Sequence, residues 1–287
     1  MKDVLMHRNT AVSVDRFINN PSHAVILTGT VGSGKGFLAR YICSRLLDID
    51  MSVLEKYKYF LDVSPVSGKS IGIDEIRGLR SFVKLKVPIA NKPIRIILIE
   101  NAQLMTVEAQ NAILKLIEEP PASTLIIMTT EDLHMLLPTI VSRSQFIRVL
   151  ALEQDIVKVH YKQLGYSEDS VDRAWLVSGG LLGLMNALLE QNQDHPLVKT
   201  TSFARELLGK NLLDRLLSVD DLAKNQAEVF NLLFILQQMA HLALLKQAKS
   251  ESTERWKRIL ATAYDCQSKL ASGAQTKLVL SHLMLNI

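Results

Sequence analysis

Residues 94–144 read IRIILIENAQLMTVEAQNAILKLIEEPPASTLIIMTTEDLHMLLPTIVSRS, and the fold follows from this stretch. Ile94, Ile96, Ile97, Leu98 and Ile99 are too continuously apolar for a strand with one wet face. They belong at the centre of a parallel sheet covered on both sides. Thr106 is placed to cap the next helix, in which Ala109, Ala112, Ile113, Leu116 and Ile117 recur at helical spacing and form one apolar stripe. Gln110, Asn111 and Lys115 then fall on the wet face, and Pro120 with Pro121 stops the helix. Leu125 to Met128 is a second buried strand. Thr129 and Thr130 sit at its carboxyl end, where open α/β sheets place their ligand crevice. Strand, crossover helix and parallel strand make an α/β domain.

Composition sets the outer bounds. A chain of 287 residues, 48% hydrophobic and 22% charged, buries a sizeable core and divides into more than one domain. Its net charge of +4 permits a nucleic-acid partner without requiring one. Cys43 and Cys266 are its two cysteines, far apart and outside any CxxC pair. That spacing argues against a disulfide framework and against structural zinc, and it suits a reduced cytoplasm. The first ten residues, MKDVLMHRNT, lack an apolar signal core. The most apolar helical stretch, Asn231 to Leu245, is interrupted by Gln237, Gln238 and His241, so no membrane span is expected.

Towards the N-terminus, Val14 to Asn20 reads as an amphipathic helix, and Ala24 to Thr28 as a short strand leading into GTVGSGKG, residues 29–36. This is a P-loop: glycines let successive N–H groups turn inward around phosphate, and a helix N-terminus and a lysine complete the cradle. Gly29, Gly32, Ser33, Gly34 and Lys35 supply it. The Ser or Thr that usually follows the lysine and ligates Mg²⁺ is Gly36 here, and Phe37 cannot replace it. GKG also occurs in nucleoside-monophosphate kinases, where a threonine follows instead of Phe37. The central strand, the apolar run of residues 94–99, ends in Glu100 and Asn101. P-loop ATPases carry there an acid for Mg²⁺ and commonly a glutamate that orients water. Glu100 is a weak version of the first, and Asn101 cannot act as a base. ATP or ADP can still bind through the cradle and Lys35, but efficient hydrolysis by this chain is not expected.

Between these segments, Phe60 to Val63 is a short strand, and Ser64, Pro65, Ser67 and Gly68 mark a loop. Asp74 is a candidate cap for a helix carrying Ile76, Leu79 and Val83. Arg77, Arg80, Lys84 and Lys86 make that segment basic, which a solvated helix face explains first and contact with DNA phosphate second. After Thr130 come a short helix, Leu136 to Val141, then Ser142, Arg143 and Ser144, and a further strand. Beyond Ala151 the pattern is wholly helical. Gly179, Gly180 and Gly183 allow close helix packing, and about five helices follow His195.

Together, PSHAVILTGTVGSGKG, GKSIGIDEIR, the run from Ile94 to Thr130 with AQNAILKLIEEPP, and LLPTIVSRS resemble the AAA+ subunits of the bacterial clamp loader of DNA polymerase III, the delta prime family above all. The resemblance implies a RecA-like α/β P-loop domain over residues 1–150, a small helical lid over 151–191 and an all-helical C-terminal collar over 192–287. It implies that Arg143, standing where the family has the arginine of Ser-Arg-Cys, reaches in trans to ATP on a neighbour. Thr129 or Thr130 matches the first sensor, while Leu184 stands where other family ATPases carry a sensor arginine. The family's zinc cysteines are missing from the short Asp48 to Tyr59 connection, so neither zinc nor another resident metal is expected. Implied partners are gamma/tau ATPase subunits, a delta subunit, the sliding clamp and, through the complex, primer-template DNA. The alternatives are an active P-loop ATPase or nucleotide kinase using Glu100 for Mg²⁺, and a AAA+ interaction module outside replication.

Overall fold

The computed structural model describes residues 4–64, 70–87, 94–192, 194–246 and 251–287. The chain divides into two compact units, 1–151 and 152–287. In the first, helices α1 (Arg8–Asn19), α2 (Lys35–Leu47), α3 (Ile73–Val83), α4 (Val107–Glu118) and α5 (Pro138–Val141) surround five strands. These are β1 (Ala24–Thr28), β2 (Phe60–Val63), β3 (Arg95–Ile99), β4 (Thr124–Thr130) and β5 (Gln145–Arg148), all parallel in the order β2-β3-β4-β1-β5.

Every residue of β1, β3 and β4 is buried, because both faces of the sheet are covered. On one face Val25, Leu27, Ile96, Leu98 and Ile127 meet Val14, Phe17, Leu38 and Ile42 from α1 and α2. On the other, Ile26, Ile97, Ile99, Ile126 and Met128 meet Ile76, Leu79, Ile113, Ile117 and Ile140 from α3, α4 and α5. Each such side chain contributes roughly 1.5–3 kcal/mol relative to leaving it in water. The 94–99 run lies one place from the centre, which β4 occupies.

Several local expectations are refined. Helix α1 starts at Arg8 rather than Val14, because the His7 ring accepts from Asn9 N at 3.1 Å as its cap. The Thr10 hydroxyl then docks on β5, donating to Arg148 O at 2.9 Å and accepting from Leu150 N at 3.2 Å. The residue before α3 is Gly72, so Asp74 lies in the first turn with Glu75, where negative charge suits the helix dipole. Thr106 caps α4 as expected, its hydroxyl accepting from Ala109 N at 3.2 Å. The loop expected over Pro65, Ser67 and Gly68 lies outside the described residues. So does the side chain of Arg80.

Gln110 departs most clearly from its place on a wet face: it is buried. Its amide donates to Met105 O at 3.3 Å and Met135 O at 3.4 Å and accepts from Leu137 N at 2.8 Å. Periodicity alone assigned it to water, whereas the segment between β4 and α5 folds back over α4 and its backbone groups need partners.

The second unit holds α6 (Gln154–Gln163), α7 (Glu168–Ser178), α8 (Leu182–Leu189), α9 (Pro196–Gly209), α10 (Leu212–Leu217), α11 (Val219–Leu222), α12 (Gln226–Lys246), α13 (Glu251–Ala271) and α14 (Thr276–Asn286). Gly180, at φ +78°, ends the turn after α7, where a Cβ would stand 2.4 Å from Leu152 O. That close approach accounts for Gly180, and Gly179, at φ +61°, is the left-handed cap of α7. Among the described residues α12 alone is long and apolar enough to cross a bilayer by length and composition. Here it buries Val229, Leu232, Leu233, Leu236 and Ala240 and packs on α7, α9 and α13 as a core helix does.

Replacing Gln110 with alanine strands the Leu137 N–H and carbonyls at Met105 and Met135. The expected cost is about 1–3 kcal/mol, read as a lower urea midpoint; an unchanged midpoint would argue against the tether.

Candidate functional site

The pairing of Thr28 with Thr130 sets the floor of the glycine-rich loop. Just beyond it, Gly29 N donates to Thr130 O at 3.2 Å. A Cβ on Gly29 would lie 2.9 Å from both Ser33 Oγ and Val149 O, so the chain needs glycine there. Gly32 and Gly34 take φ +77° and +84°, the left-handed conformation that turns successive N–H groups inward at the start of α2. Lys35 opens that helix, and its Nζ donates to Thr30 O at 3.4 Å across the loop. Burial pulls its pKa below the ordinary lysine value, against the opposing pull of Glu131 and Glu100. The Ser33 hydroxyl is buried with no hydrogen-bond partner. A loop of this shape, with a buried cation and an unsatisfied hydroxyl, suits a polyphosphate.

The side of the loop where a metal would stand is different. Gly36 has no hydroxyl, and a Cβ there would come 3.1 Å from Glu100 Oε2, so the Glu100 carboxylate lies against the bare backbone. One turn along α2, Arg40 forms ion pairs with Glu55, with Asp62 on β2 and, at 3.0 Å, with Glu100 Oε1. Burial opposes the charge of Arg40, but Asp62 and Glu100 outweigh it and hold its pKa above the usual value. Glu100 in turn is raised above the ordinary carboxylate range, by burial first, with Arg40 pulling it back. Magnesium does not fit this set. The hydroxyl ligand is lacking at Gly36, and the Glu100 carboxylate is committed to the Arg40 guanidinium.

The remaining expected positions are tied to the backbone. Thr129 Oγ1 accepts from Asn101 N at 2.9 Å, and Thr130 Oγ1 donates to Asp132 O at 2.9 Å. Leu184 is wholly buried in α8. Gly29, Gly32, Ser33, Gly34, Lys35, Gly36, Glu100 and Thr130 thus gather at the carboxyl ends of β1, β3 and β4. Arg143 makes its contacts elsewhere. It follows α5, which begins with Pro138 at a position where a missing N–H costs nothing. Its Nε pairs with Glu118 Oε1 at 3.1 Å, and Nη1 donates to Thr139 O at 3.3 Å and Ser142 Oγ at 3.4 Å. Its side chain is 43% exposed, so the pair with Glu118 is weak and easily exchanged for a stronger anion.

Three participants escaped sequence reading. Arg40 lies one turn past Gly36, a spacing that signals a shared helix face, but its acids come from β2, the Asp48 to Tyr59 connection and the residue that follows β3. Glu131, which follows β4, is a partner in the field around Lys35. Glu118 reads as part of EEPP, and its bond to Arg143 joins two elements distant in sequence.

A parallel sheet in this order, covered on both faces and carrying a glycine loop between β1 and α2, defines a P-loop protein of the AAA+ fold. A family model described as DNA polymerase III, delta subunit, matches residues 16–153, just under half of the chain. The DNA polymerase III subunit delta' of Pseudomonas aeruginosa is 31% identical over 137 residues, 42% of this chain and 41% of that protein. The subunit tau of Bacillus subtilis is 28% identical over 136 residues, 43% of this chain and 24% of that one. A DNA polymerase III gamma-subunit-related protein from Thermotoga maritima shares the fold, with TM-score 0.53, 19% identity and coverage of 96% of this chain and 97% of that one. The chain has the AAA+ fold, and over residues 16–153 it is similar to delta-type subunits of DNA polymerase III. It spans less than two thirds of the length of the curated relatives it matches.

Lys35→Met is expected to raise the urea midpoint of the chain at neutral pH. The buried ammonium holds its proton less firmly folded than unfolded, so it costs stability below its folded-state pKa, and that cost fades as pH climbs through that pKa toward the ordinary lysine value. A lowered midpoint would contradict this reading of the loop.

Proposed function

We propose that this chain is a delta-prime-like subunit that hydrolyses ATP poorly at its own loop and offers Arg143 to ATP held by an adjacent ATPase subunit. The observation that carries this reading is the contrast between two cations. Arg40 is absorbed by three carboxylates beside a loop lacking the Mg²⁺ hydroxyl. Arg143 stands half-exposed on a single exchangeable pair. A planar, permanently charged guanidinium neutralises the charge that develops on a transferred phosphoryl group. Glu118 pre-sets its direction until phosphate replaces the carboxylate.

In this role the loop residues Gly29, Gly32, Ser33, Gly34 and Lys35 hold nucleotide as a structural ligand, with Thr130 supporting the loop floor. Residues 151–191 serve as a lid, and residues 192–287 as the collar that joins subunits in a ring. The partners are gamma/tau ATPase subunits and a delta subunit. The assembly, working in the cytoplasm, opens a sliding clamp and places it on primer-template DNA. The family match and the named relatives support this assignment.

In a reconstituted loader, Arg143→Ala should slow single-turnover hydrolysis at the adjoining site by on the order of 10³-fold. Arg143→Lys should recover little, because an ammonium lacks the planar fork. Unchanged turnover in both variants would overturn the assignment of the arginine.

A further inference from the structure

The ion cluster on α2 carries a consequence for the loop beside it. In a metal-dependent P-loop, a divalent cation lies between the phosphates and the acid at the end of the neighbouring strand, cancelling their repulsion. Here that acid, Glu100, rests against the Gly36 backbone and is bound at 3.0 Å by Arg40, which also pairs with Asp62 and Glu55. A second feature points to a ligand: the Ser33 hydroxyl is buried within the loop and makes no hydrogen bond.

We infer that Arg40 is a resident cation doing the charge-balancing work of the metal, so that the loop takes the di- or triphosphate of a nucleotide free of Mg²⁺. The geometry divides the task. The inward N–H groups of the loop and Lys35 contact the phosphates. Arg40 holds Asp62 and Glu100 in ion pairs and keeps their charge from repelling those phosphates. Glu55, the third acid, is 60% exposed, and water screens it. Mg²⁺ has no hydroxyl to bind at Gly36 and no uncommitted carboxylate at Glu100. Arg40 is therefore a positioning residue acting through Glu100 and Asp62, and its signature is the metal dependence of binding rather than affinity alone.

The test is a titration of fluorescent ADP and ATP against the full chain, once with excess EDTA and once with millimolar Mg²⁺. The wild-type chain should bind equally in both to within about twofold. Arg40→Gln should weaken binding in EDTA by about tenfold or more and regain part of it with Mg²⁺, a tenfold change being about 1.4 kcal/mol. Arg40→Lys, which keeps a cation, should stay close to wild type. If Arg40→Gln does not fold, the wild-type comparison decides alone. A gain of about tenfold with Mg²⁺ in the wild-type chain, or no binding in either buffer, overturns the inference. Neither result touches the role proposed for Arg143, which is read at a neighbour's site.

Discussion

Parallel pairing of β1 with β4 and β5, and of β3 with β4, puts the carboxyl ends of these strands in one row, and the contacts around the glycine loop hang from that row. The pairing of Thr28 with Thr130 lets Gly29 N reach Thr130 O and start the glycine loop. The end of β3 delivers Glu100 to the side of that loop, and β2 delivers Asp62 beside it. Burial of both faces fixes the register, because a slip by one residue would exchange the two faces of each strand. The positions of the loop and its acids are thus consequences of packing far larger in energy than any contact within the site.

Charge is distributed unevenly over this frame. Two of the cations near the row, Lys35 and Arg40, are turned inward: one crosses the loop to Thr30 O, and the other binds three carboxylates. Lys35 pays for its burial with a lowered pKa, a destabilising arrangement that a purely structural lysine at a surface would avoid. Arg143 has the opposite environment, with one exposed acid and two neutral oxygens as partners. Gln110 links that arginine to the frame indirectly, since it fastens the segment that leads into α5.

Much of this was legible in residues 94–144. Continuous Ile and Leu runs specify strands covered on both faces, and the glycine spacing at 29–36 specifies a strand–loop–helix turn. Both signals are local. The missing Mg²⁺ hydroxyl was equally plain, since Gly36 has no side chain to misplace. What escaped were contacts between elements distant in sequence. Arg40 and Glu100 are sixty positions apart, and only the parallel order β2-β3-β4-β1-β5 brings α2 over the ends of β2 and β3. Gln110 was misplaced for the same reason: helical periodicity assigns polar residues to water and carries no information about a loop that folds back over them. The early start of α1 was hidden by polar residues at Arg8, Asn9 and Thr10, whose roles are a terminus and a docking hydroxyl.

The central claim is that the chain's own loop lacks the groups that break a phosphate bond, and hydrolysis of ATP by the purified chain alone tests it most directly. Turnover should not rise above that of a Lys35→Ala control at any Mg²⁺ concentration. Sustained turnover by the wild-type chain that disappears in the Lys35→Ala variant would contradict it.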